Sequence, residues 1–415
     1  MMVTSLARIE AAIPATAYFE HDLSSESFRQ TALRDHVRGW SRRDPFYVRR
    51  MGLPAILCTR YAHVREVLMD ADRFVMKAPP IPGYEVFDIF GGLISVLQMD
   101  GERHARVRRL MNPAFLPVGL TRVMPSLERI VKERLDALEV LGPTFDLMSD
   151  FCDHLIMRAL LDATFQLSEA QQQAFERVHH AITLAPKFRP GEPRPQEYTD
   201  AMAAVRTVII DVIDERRRAP GDDFISDLIT ARDKGDKLSD EELYGQVNTI
   251  CGSALGSTAA TLGAAVMVLC RHPDQFDRLR AEPERVNDAL EELLRYHGPG
   301  LFSFPRFAAC DTEIGGTRIV EGMPVITSPQ AASFDPDMFE DPDRLDITRK
   351  PRALTFGTGN HHCIGVRLAK ATMRLGLLGL MERFPRLRLA DPDFVPVYSG
   401  NVGTMTIRSL PVRVD

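Results

Sequence analysis

The sequence has few cysteines, no long apolar run and no excess of positive charge. Its 415 residues include six cysteines, which lie far apart without a C-x-x-C pair, a pattern typical of neither a disulfide framework nor a zinc ribbon. Because no stretch of about 18 uninterrupted apolar residues is present, we expect no membrane span and a cytoplasmic protein. The 51 basic and 57 acidic side chains give a net charge of −6, so we expect no nucleic-acid partner.

An ordinary globular composition is present instead, with helical periodicity along much of the chain. Hydrophobic residues make up 45% and charged residues 26% of the sequence, which excludes a disordered chain. The patterns predict strands at 53–58, between 311 and 329 and after 391, and helices over 61–69, 240–270, 283–296 and 366–384. Since no internal repeat or linker is visible, we expect one domain over residues 1–415 that is mainly α with a minor β region.

The longest predicted helix has an unusual centre. Ser239 and Glu242 form a plausible capping box at its start, and the dipeptide His272-Pro273 ends it, because the residue before a proline disfavours helix. At about 1.5 Å per residue, such a helix would cross a whole domain. Residues 252–258 read GSALGST, which is small and hydroxyl-rich where a core helix usually carries bulky apolar side chains.

The segment most indicative of chemistry is FGTGNHHCIG at residues 356–365. Its glycines would let the backbone bend tightly and approach a flat, bulky group. A cysteine just before a helix has its thiolate favoured by the helix dipole and by free N–H groups, so Cys363 is a candidate nucleophile or metal ligand, with a buried inert thiol as the alternative. A zinc site made of His361, His362 and Cys363 is disfavoured, because neighbouring residues rarely converge on one ion and no fourth ligand is evident.

This segment resembles the heme-binding loop of the cytochrome P450 family, F-x-x-G-x-x-x-C-x-G. The matching residues are Phe356, Gly359, Cys363 and Gly365. Three further segments resemble that family in the same order along the chain: 104–108, in the helix that reaches the heme propionates; 292–295, as E-x-x-R; and 341–346, whose Arg344 would join that pair. Together these ordered motifs make the resemblance specific, and it covers roughly the whole chain.

The resemblance implies the cytochrome P450 fold, a bound heme b (iron protoporphyrin IX) and Cys363 as the axial ligand of the iron. The other residues that it places at the heme are His104, Arg108, Arg306, His361, Phe356 and Gly357. Arginine suits carboxylate binding because its planar guanidinium can pair with both oxygens. By the same resemblance, Glu292, Arg295 and Arg344 form a structural ion-pair network that holds the heme loop and has no catalytic part.

The centre of the long helix departs from the family pattern of an acid followed by threonine, a pair that helps deliver protons for O–O cleavage. Counting back from His272-Pro273 places Gly256 at the acid and Ser257 at the alcohol, with Thr258 next. We take these three as the catalytic positions. Protons could arrive through water held by Ser257 and Thr258, or through a polar group of the substrate. Otherwise the enzyme uses peroxide or performs a non-oxygenating reaction, or Gly256 only provides space for a bulky substrate.

The function implied by the resemblance is a monooxygenase that inserts one oxygen atom from O2 into an apolar small molecule. Electrons would come from a separate ferredoxin or flavodoxin with an NAD(P)H-dependent reductase. The predicted substrate-pocket residues are Val96, Ala254, Leu301, Phe302, Phe304 and Val402. Because the connection from Arg295 to Arg306 is one residue longer than is usual in the family, the sequence leaves open which of Leu301, Phe302 and Phe304 faces the heme.

Two other functions are compatible with these motifs. One is a peroxide-using or non-oxygenating heme-thiolate enzyme, which the missing acid at Gly256 favours. The other is a heme sensor or carrier without turnover, which an appended effector domain would favour. Steady consumption of NAD(P)H with added redox partners would discriminate against the sensor.

Overall fold

Helices dominate the structure, a computed structural model that describes residues 5–25, 28, 37–88, 90, 92–173, 175, 188–232, 235–401 and 403–415. The α-helices are α1 (Leu6–Ala11), α2 (Tyr61–Met69), α3 (Gly101–Met111), α4 (Pro117–Leu141), α5 (Asp153–Arg158), α6 (Gln196–Arg218), α7 (Phe224–Thr230), α8 (Asp240–Arg271), α9 (Pro273–Ala281), α10 (Val286–Tyr296), α11 (Pro329–Ala332) and α12 (Val366–Arg383). Two π-helical segments, Met148–Cys152 and Ala159–Thr164, flank α5.

The strands are short and form several small sheets among the described residues. They are β1 (Tyr18–Asp22), β2 (Phe46–Arg50), β3 (Leu53–Cys58), β4 (Phe74–Val75), β5 (Thr144–Asp146), β6 (Arg306–Ala308), β7 (Thr312–Ile314), β8 (Thr317–Ile319), β9 (Pro324–Thr327), β10 (Arg388–Leu389), β11 (Tyr398–Asn401), β12 (Thr404–Ile407) and β13 (Pro411–Arg413). The largest sheet has the order β1-β2-β3-β9-β6-β4, with β3 parallel to β9. Smaller sheets are β10-β13-β5, β7-β8 and the antiparallel hairpin β11-β12.

The predicted class, mainly α with a minor β region, is confirmed. The strand expected at 53–58 is β3, and every residue of it is buried, as its continuous apolar run requires. The helices predicted over 61–69 and 366–384 are α2 and α12. The predicted helix over 283–296 begins with a 3₁₀ turn, so that α10 starts at Val286.

The long helix α8 is the centre of the main core. Its predicted capping box is present: the Ser239 Oγ accepts from the Glu242 N–H at 3.2 Å, and the Glu242 carboxylate accepts from the Ser239 N–H at 3.0 Å. By length and composition α8 could cross a membrane, but 67% of its most apolar stretch is buried inside the protein. That burial is typical of a core helix.

The first half of α8 holds the loop that precedes α3. Gln246 accepts from the Val96 N–H at 2.9 Å and donates to the Ile94 carbonyl at 2.7 Å. The Thr249 hydroxyl donates to the Ser95 hydroxyl at 2.9 Å. The approach is so close that a Cβ atom on Gly245 would lie 2.2 Å from the Ile94 carbonyl oxygen. Glycine is therefore required at this contact for reasons of space.

An ion pair also joins α8 to α3. The Arg106 guanidinium donates to both oxygens of Glu242, at 2.9 and 3.1 Å, and is bonded to Asp236 as well. Glu242 thus caps α8 and binds α3 with the same carboxylate. Because α3 carries His104 and Arg108, this contact fixes two of the predicted site residues relative to the long helix.

We expect Gly245→Ala to lower the free energy of unfolding by about 1–3 kcal/mol, because the added methyl group meets backbone that cannot rotate away. The matched control is Gly256→Ala on the same helix, where the new Cβ would make only an ordinary contact at 3.6 Å. Alanine should leave stability unchanged there or raise it by up to about 1 kcal/mol. Urea denaturation followed by circular dichroism measures both, and equal effects of the two substitutions would contradict the close contact.

Candidate active site

The loop 356–365 is built around two glycines and leads directly into α12. Gly357 and Gly359 have φ of +69° and +71°, a conformation that side-chain-bearing residues avoid. A Cβ on Gly359 would also lie 2.5 Å from the Leu68 carbonyl oxygen at the end of α2. The Cys363 N–H donates to the Phe356 carbonyl at 3.0 Å and closes the loop. These contacts place the cysteine at the N-terminus of α12.

The Cys363 side chain opens into the site, and its electrostatic environment is mixed. Desolvation raises the pKa of the thiol, whereas the N–H groups of Gly365 and Val366 and the charge of Arg108 lower it, with a net rise. A positive charge at the sulfur, such as that of a bound metal ion, would favour the thiolate. The predicted stabilisation by helix N–H groups is present, but by itself it does not outweigh burial.

The side chains of His104, Arg108, Arg306 and His361 lie together beside this loop. The imidazole rings of His104 and His361 are 4.1 Å apart. Burial, followed by the neighbouring positive charges, lowers the pKa of His361 to about 3. Desolvation likewise lowers the pKa of His104, Arg108 and Arg306. The structure thus brings together the four residues predicted to contact the propionates.

Among the described hydrogen bonds, the two arginines donate to backbone carbonyls and not to carboxylates. The Arg108 guanidinium donates to the His362 carbonyl at 3.0 Å, and that of Arg306 to the carbonyls of Phe74 and Leu68 at 3.3 and 3.5 Å. The nearby carboxylate of Asp100 accepts from the backbone N–H groups of residues 76 and 77. A site of this kind favours a ligand that carries carboxylates.

Glu292 and Arg295 form the predicted buried pair on α10. Both side chains have no exposed surface, and the two hydrogen bonds between them measure 2.7 and 2.8 Å. The prediction that the Arg344 side chain joins them is wrong. That side chain is 65% exposed and pairs with Asp346, while only its carbonyl oxygen accepts from Arg295, at 3.2 Å.

Arg349 takes the place that we assigned to Arg344. Its Nε lies 3.3 Å from a carboxylate oxygen of Glu292, and its side chain is 19% exposed. It also donates to the carbonyls of Glu340 and Asp341. Both arginines belong to the same irregular segment, and spacing along the sequence does not distinguish them. The direction of each side chain decides which one reaches α10.

The centre of α8 contributes Ala254, Gly256 and Ser257, which are partly buried, and Thr258, which is buried. The Ser257 hydroxyl donates to the Ser253 carbonyl one turn earlier, at 2.8 Å. A side chain at position 256 would meet a methyl group of Thr404 in β12. The hydroxyl-bearing centre of the helix is present as predicted, and the neighbour of Gly256 is another hydroxyl residue and not a carboxylate.

A narrow apolar cavity of about 30 Å³ lies between the loop that precedes α3 and the connection that leads into β6. Its lining residues are Met76, Ala78, Phe87, Phe90, Leu97, Gln98, Phe304, Pro305 and Phe307. Among the predicted pocket residues, Phe304 lines it and is 44% exposed. Phenylalanine side chains form much of its wall, and its volume is sufficient for little more than a water molecule.

The other predicted pocket residues are placed differently. Leu301 and Phe302 belong to the core cluster that contains Trp40 and Met405, and the Phe302 ring lies parallel to Phe28 at 6.5 Å. Neither of them lines the narrow cavity, so their assignment to the substrate pocket stays a prediction. Val96 is buried in the main core, and its neighbours Leu97 and Gln98 line the cavity instead. Val402 lies outside the described residues.

We expect Arg349→Met to lower the free energy of unfolding by about 1–3 kcal/mol, because it removes a hydrogen-bonded partner from a carboxylate that has no access to water. Arg344→Met is the matched control, and its effect should stay within about 0.5 kcal/mol, as for other exposed ion pairs. Urea denaturation of the two variants makes the comparison. A larger loss for Arg344→Met would restore the original assignment.

The comparison with known proteins agrees with this geometry. The cytochrome P450 family profile matches residues 43–406. The mycinamicin IV hydroxylase/epoxidase of Micromonospora griseorubida is 33% identical over 82% of this chain and 85% of its own. The 6-deoxyerythronolide B hydroxylase of Saccharopolyspora erythraea is 31% identical over 95% of this chain and 98% of its own. The solved structure of the polyketide synthase cytochrome P450 PksS from Bacillus subtilis superposes with a TM-score of 0.85 at 27% identity, covering 95% of this chain and 100% of that one.

The family profile, the two relatives and the solved structure each match most of this chain. All of these comparisons support the same family. That assignment agrees with the local evidence, in which a cysteine just before a helix lies near two arginines and two histidines, Arg108, Arg306, His104 and His361. The chain belongs to the cytochrome P450 family, and it is a monooxygenase whose cofactor is heme.

Proposed function

We propose that Cys363 is the axial thiolate of the heme iron and that the enzyme hydroxylates or epoxidises an apolar small molecule, with electrons from a separate redox protein. The observation that carries the proposal is that the Cys363 thiol lies near the cation cluster, the group formed by Arg108, Arg306, His104 and His361. A thiolate at Cys363 would be stabilised by a positive charge beyond that of Arg108, and the two arginines by carboxylates beyond that of Asp100. Heme brings both, because its iron is cationic and its edge carries two propionates.

The residues present fit that group. Arg108 and Arg306 would hold the propionates, since each guanidinium donates only to backbone carbonyls among the described hydrogen bonds. His104 would donate from a neutral imidazole, because burial and the arginine charges keep its pKa low, and His361, whose ring is bonded to the Met99 backbone, would line the same side of the site. The N–H groups of Gly365 and Val366 stabilise the negative charge on sulfur. When bound, heme supplies the oxygen-activating redox chemistry.

Proton delivery is assigned to hydroxyl groups of α8. The Ser257 hydroxyl already donates to the Ser253 carbonyl, so its oxygen lone pairs remain able to accept a hydrogen bond from water. The Ser257 carbonyl in turn accepts from the Thr261 hydroxyl at 2.7 Å. With Gly256 in place of an acid, water ordered by Ser257 and Thr258 is the route that the residues of this helix support.

The wall of the narrow cavity supports an apolar substrate. Phe87, Phe90, Phe304 and Phe307 surround it, and the Gln98 amide, which donates to Asp88 at 3.2 Å, is its polar side chain. Such a wall binds through the hydrophobic effect and offers few hydrogen bonds. The two relatives act, by their names, on mycinamicin IV and 6-deoxyerythronolide B, which supports a biosynthetic hydroxylase that acts on a preformed carbon skeleton.

An optical titration of the purified ferric protein tests this function. Terpenes, steroids, aromatic compounds and fatty acids are added in turn, and we expect an apolar ligand to shift the Soret band from its low-spin to its high-spin position by displacing bound water. Cys363→Ser should lose the thiolate spectrum, whereas Cys310→Ser, at an exposed cysteine outside the site, should keep it. A protein without a Soret band after reconstitution with heme would contradict the proposal.

A second test concerns the missing acid. If water relays protons past Gly256, then Gly256→Glu should raise the fraction of NAD(P)H electrons that reach product, by supplying an acid near Ser257. Gly256→Gln is the matched control, because it has the same size without the acid, and it should not raise this coupling. The assay measures product and hydrogen peroxide per NAD(P)H with added ferredoxin and reductase. Equal coupling in both variants would favour peroxide use or a non-oxygenating reaction.

A further inference from the structure

Asp100 is the N-cap residue of α3, but its carboxylate does not cap that helix. Its backbone is extended, with φ of −130° and ψ of 168°, as at an ordinary N-cap, yet among the described contacts its side chain accepts no hydrogen bond from the first turn of α3. Aspartate at an N-cap usually accepts from the second or third N–H of its helix. The helix therefore lacks a stabilising contact, and such a break with a local rule is typical of functional sites.

The Asp100 carboxylate binds instead to the chain that follows β4. One of its oxygens accepts from the Met76 N–H at 2.8 Å, and the other accepts from the Lys77 N–H at 2.9 Å. Hydrogen bonds from backbone N–H groups to an ionised carboxylate are among the stronger ones in proteins. Because both oxygens are bound to the backbone, the position of the carboxylate is fixed, and the start of α3 is joined to residues 76 and 77.

Arg306 is bound to the same stretch of chain. It is the first residue of β6, which pairs with β4 in antiparallel register and sets Phe74 opposite Ala308. The buried Arg306 guanidinium donates to the Phe74 carbonyl at 3.3 Å. The segment 74–77 therefore holds Arg306 at its first residue and Asp100 at its last two. The backbone of this segment sets how far apart the two opposite charges lie.

The charge of Asp100 acts on the cation cluster through space. It raises the pKa of His104 and of Arg306, although desolvation has the larger, opposite effect on both. Among the ion pairs and hydrogen bonds of the described residues, none joins Asp100 to either cation, because both carboxylate oxygens accept from the backbone. Asp100 thus offsets part of the positive charge and leaves the donors of the Arg306 guanidinium to other partners.

We infer that Asp100 is a positioning residue that keeps Arg306 available to a heme propionate and, through its fixed charge, sets the reduction potential of the heme. The inference rests on the proposed function and adds a residue to it. A buried guanidinium without a nearby negative charge is costly, whereas a direct ion pair would compete with the propionate. A carboxylate that is tied to backbone N–H groups meets both requirements, because it offsets the charge and does not bind the guanidinium.

A redox titration of the holoenzyme, followed at the Soret band, tests this role. A negative charge near heme favours the oxidised, more positive iron. In Asp100→Asn, which has the same shape without the charge, we expect the ratio of reduced to oxidised heme at a fixed potential to rise about threefold or more. Asp22→Asn is the matched control. Its carboxylate also accepts from backbone N–H groups, but it lies on β1, at the edge of the sheet opposite to β4, so the ratio should stay unchanged.

Two further variants separate the charge of Asp100 from its hydrogen bonds. Asp100→Glu keeps the charge and alters the geometry, so the ratio should stay near that of the unaltered enzyme. Asp100→Ser removes the charge but leaves a favourable N-cap residue, and it should reproduce the rise even if Asp100→Asn does not fold. No rise in the neutral variants, or an equal rise in Asp100→Glu or Asp22→Asn, would overturn the inference. Absence of a Soret band from the unaltered protein would instead contradict the proposed function.

Discussion

The buried pair of Glu292 and Arg295 is the constraint on which the geometry of the site depends. A carboxylate and a guanidinium without access to water are costly unless all of their polar atoms are satisfied. Arg295 donates to carbonyls at residues 333, 342 and 344, and Glu292 accepts from the N–H of residue 346 and from Arg349. These hydrogen bonds hold the segment 333–349 against α10. The loop that contains Cys363 begins at residue 356, a short distance further along the chain.

Arg108 and Arg306 have the opposite character, because their described hydrogen bonds go to backbone carbonyls and Asp100 is the carboxylate whose charge acts on Arg306. Positive groups that lie together and are partly desolvated repel one another, which lowers the stability of the folded chain. Such an arrangement is typical of functional sites, where local rules are broken in favour of ligand binding. A ligand that supplies the missing negative charge then contributes to the stability of the whole fold.

Features governed by local rules were predictable from the sequence. The capping box of α8, the buried strand β3 and the position of Cys363 before α12 each depend on neighbouring residues, so their patterns were sufficient. The choice between Arg344 and Arg349, and the direction of Leu301 and Phe302, depend on how an irregular segment turns in space. Spacing along the sequence does not encode that turn. The chemical roles of the site residues stay predictions from their residue types and from the family resemblance.

The double role of Glu242 links parts of the molecule that lie far apart in sequence. The Glu242 carboxylate accepts from the N-cap N–H of α8 and also accepts from the Arg106 guanidinium of α3. The two helices are therefore joined by hydrogen bonds at that point. A shift of α3 would therefore also displace the first turn of α8. Glu242 is buried, so the link between the long helix and α3 lies inside the protein, where water does not compete for its hydrogen bonds.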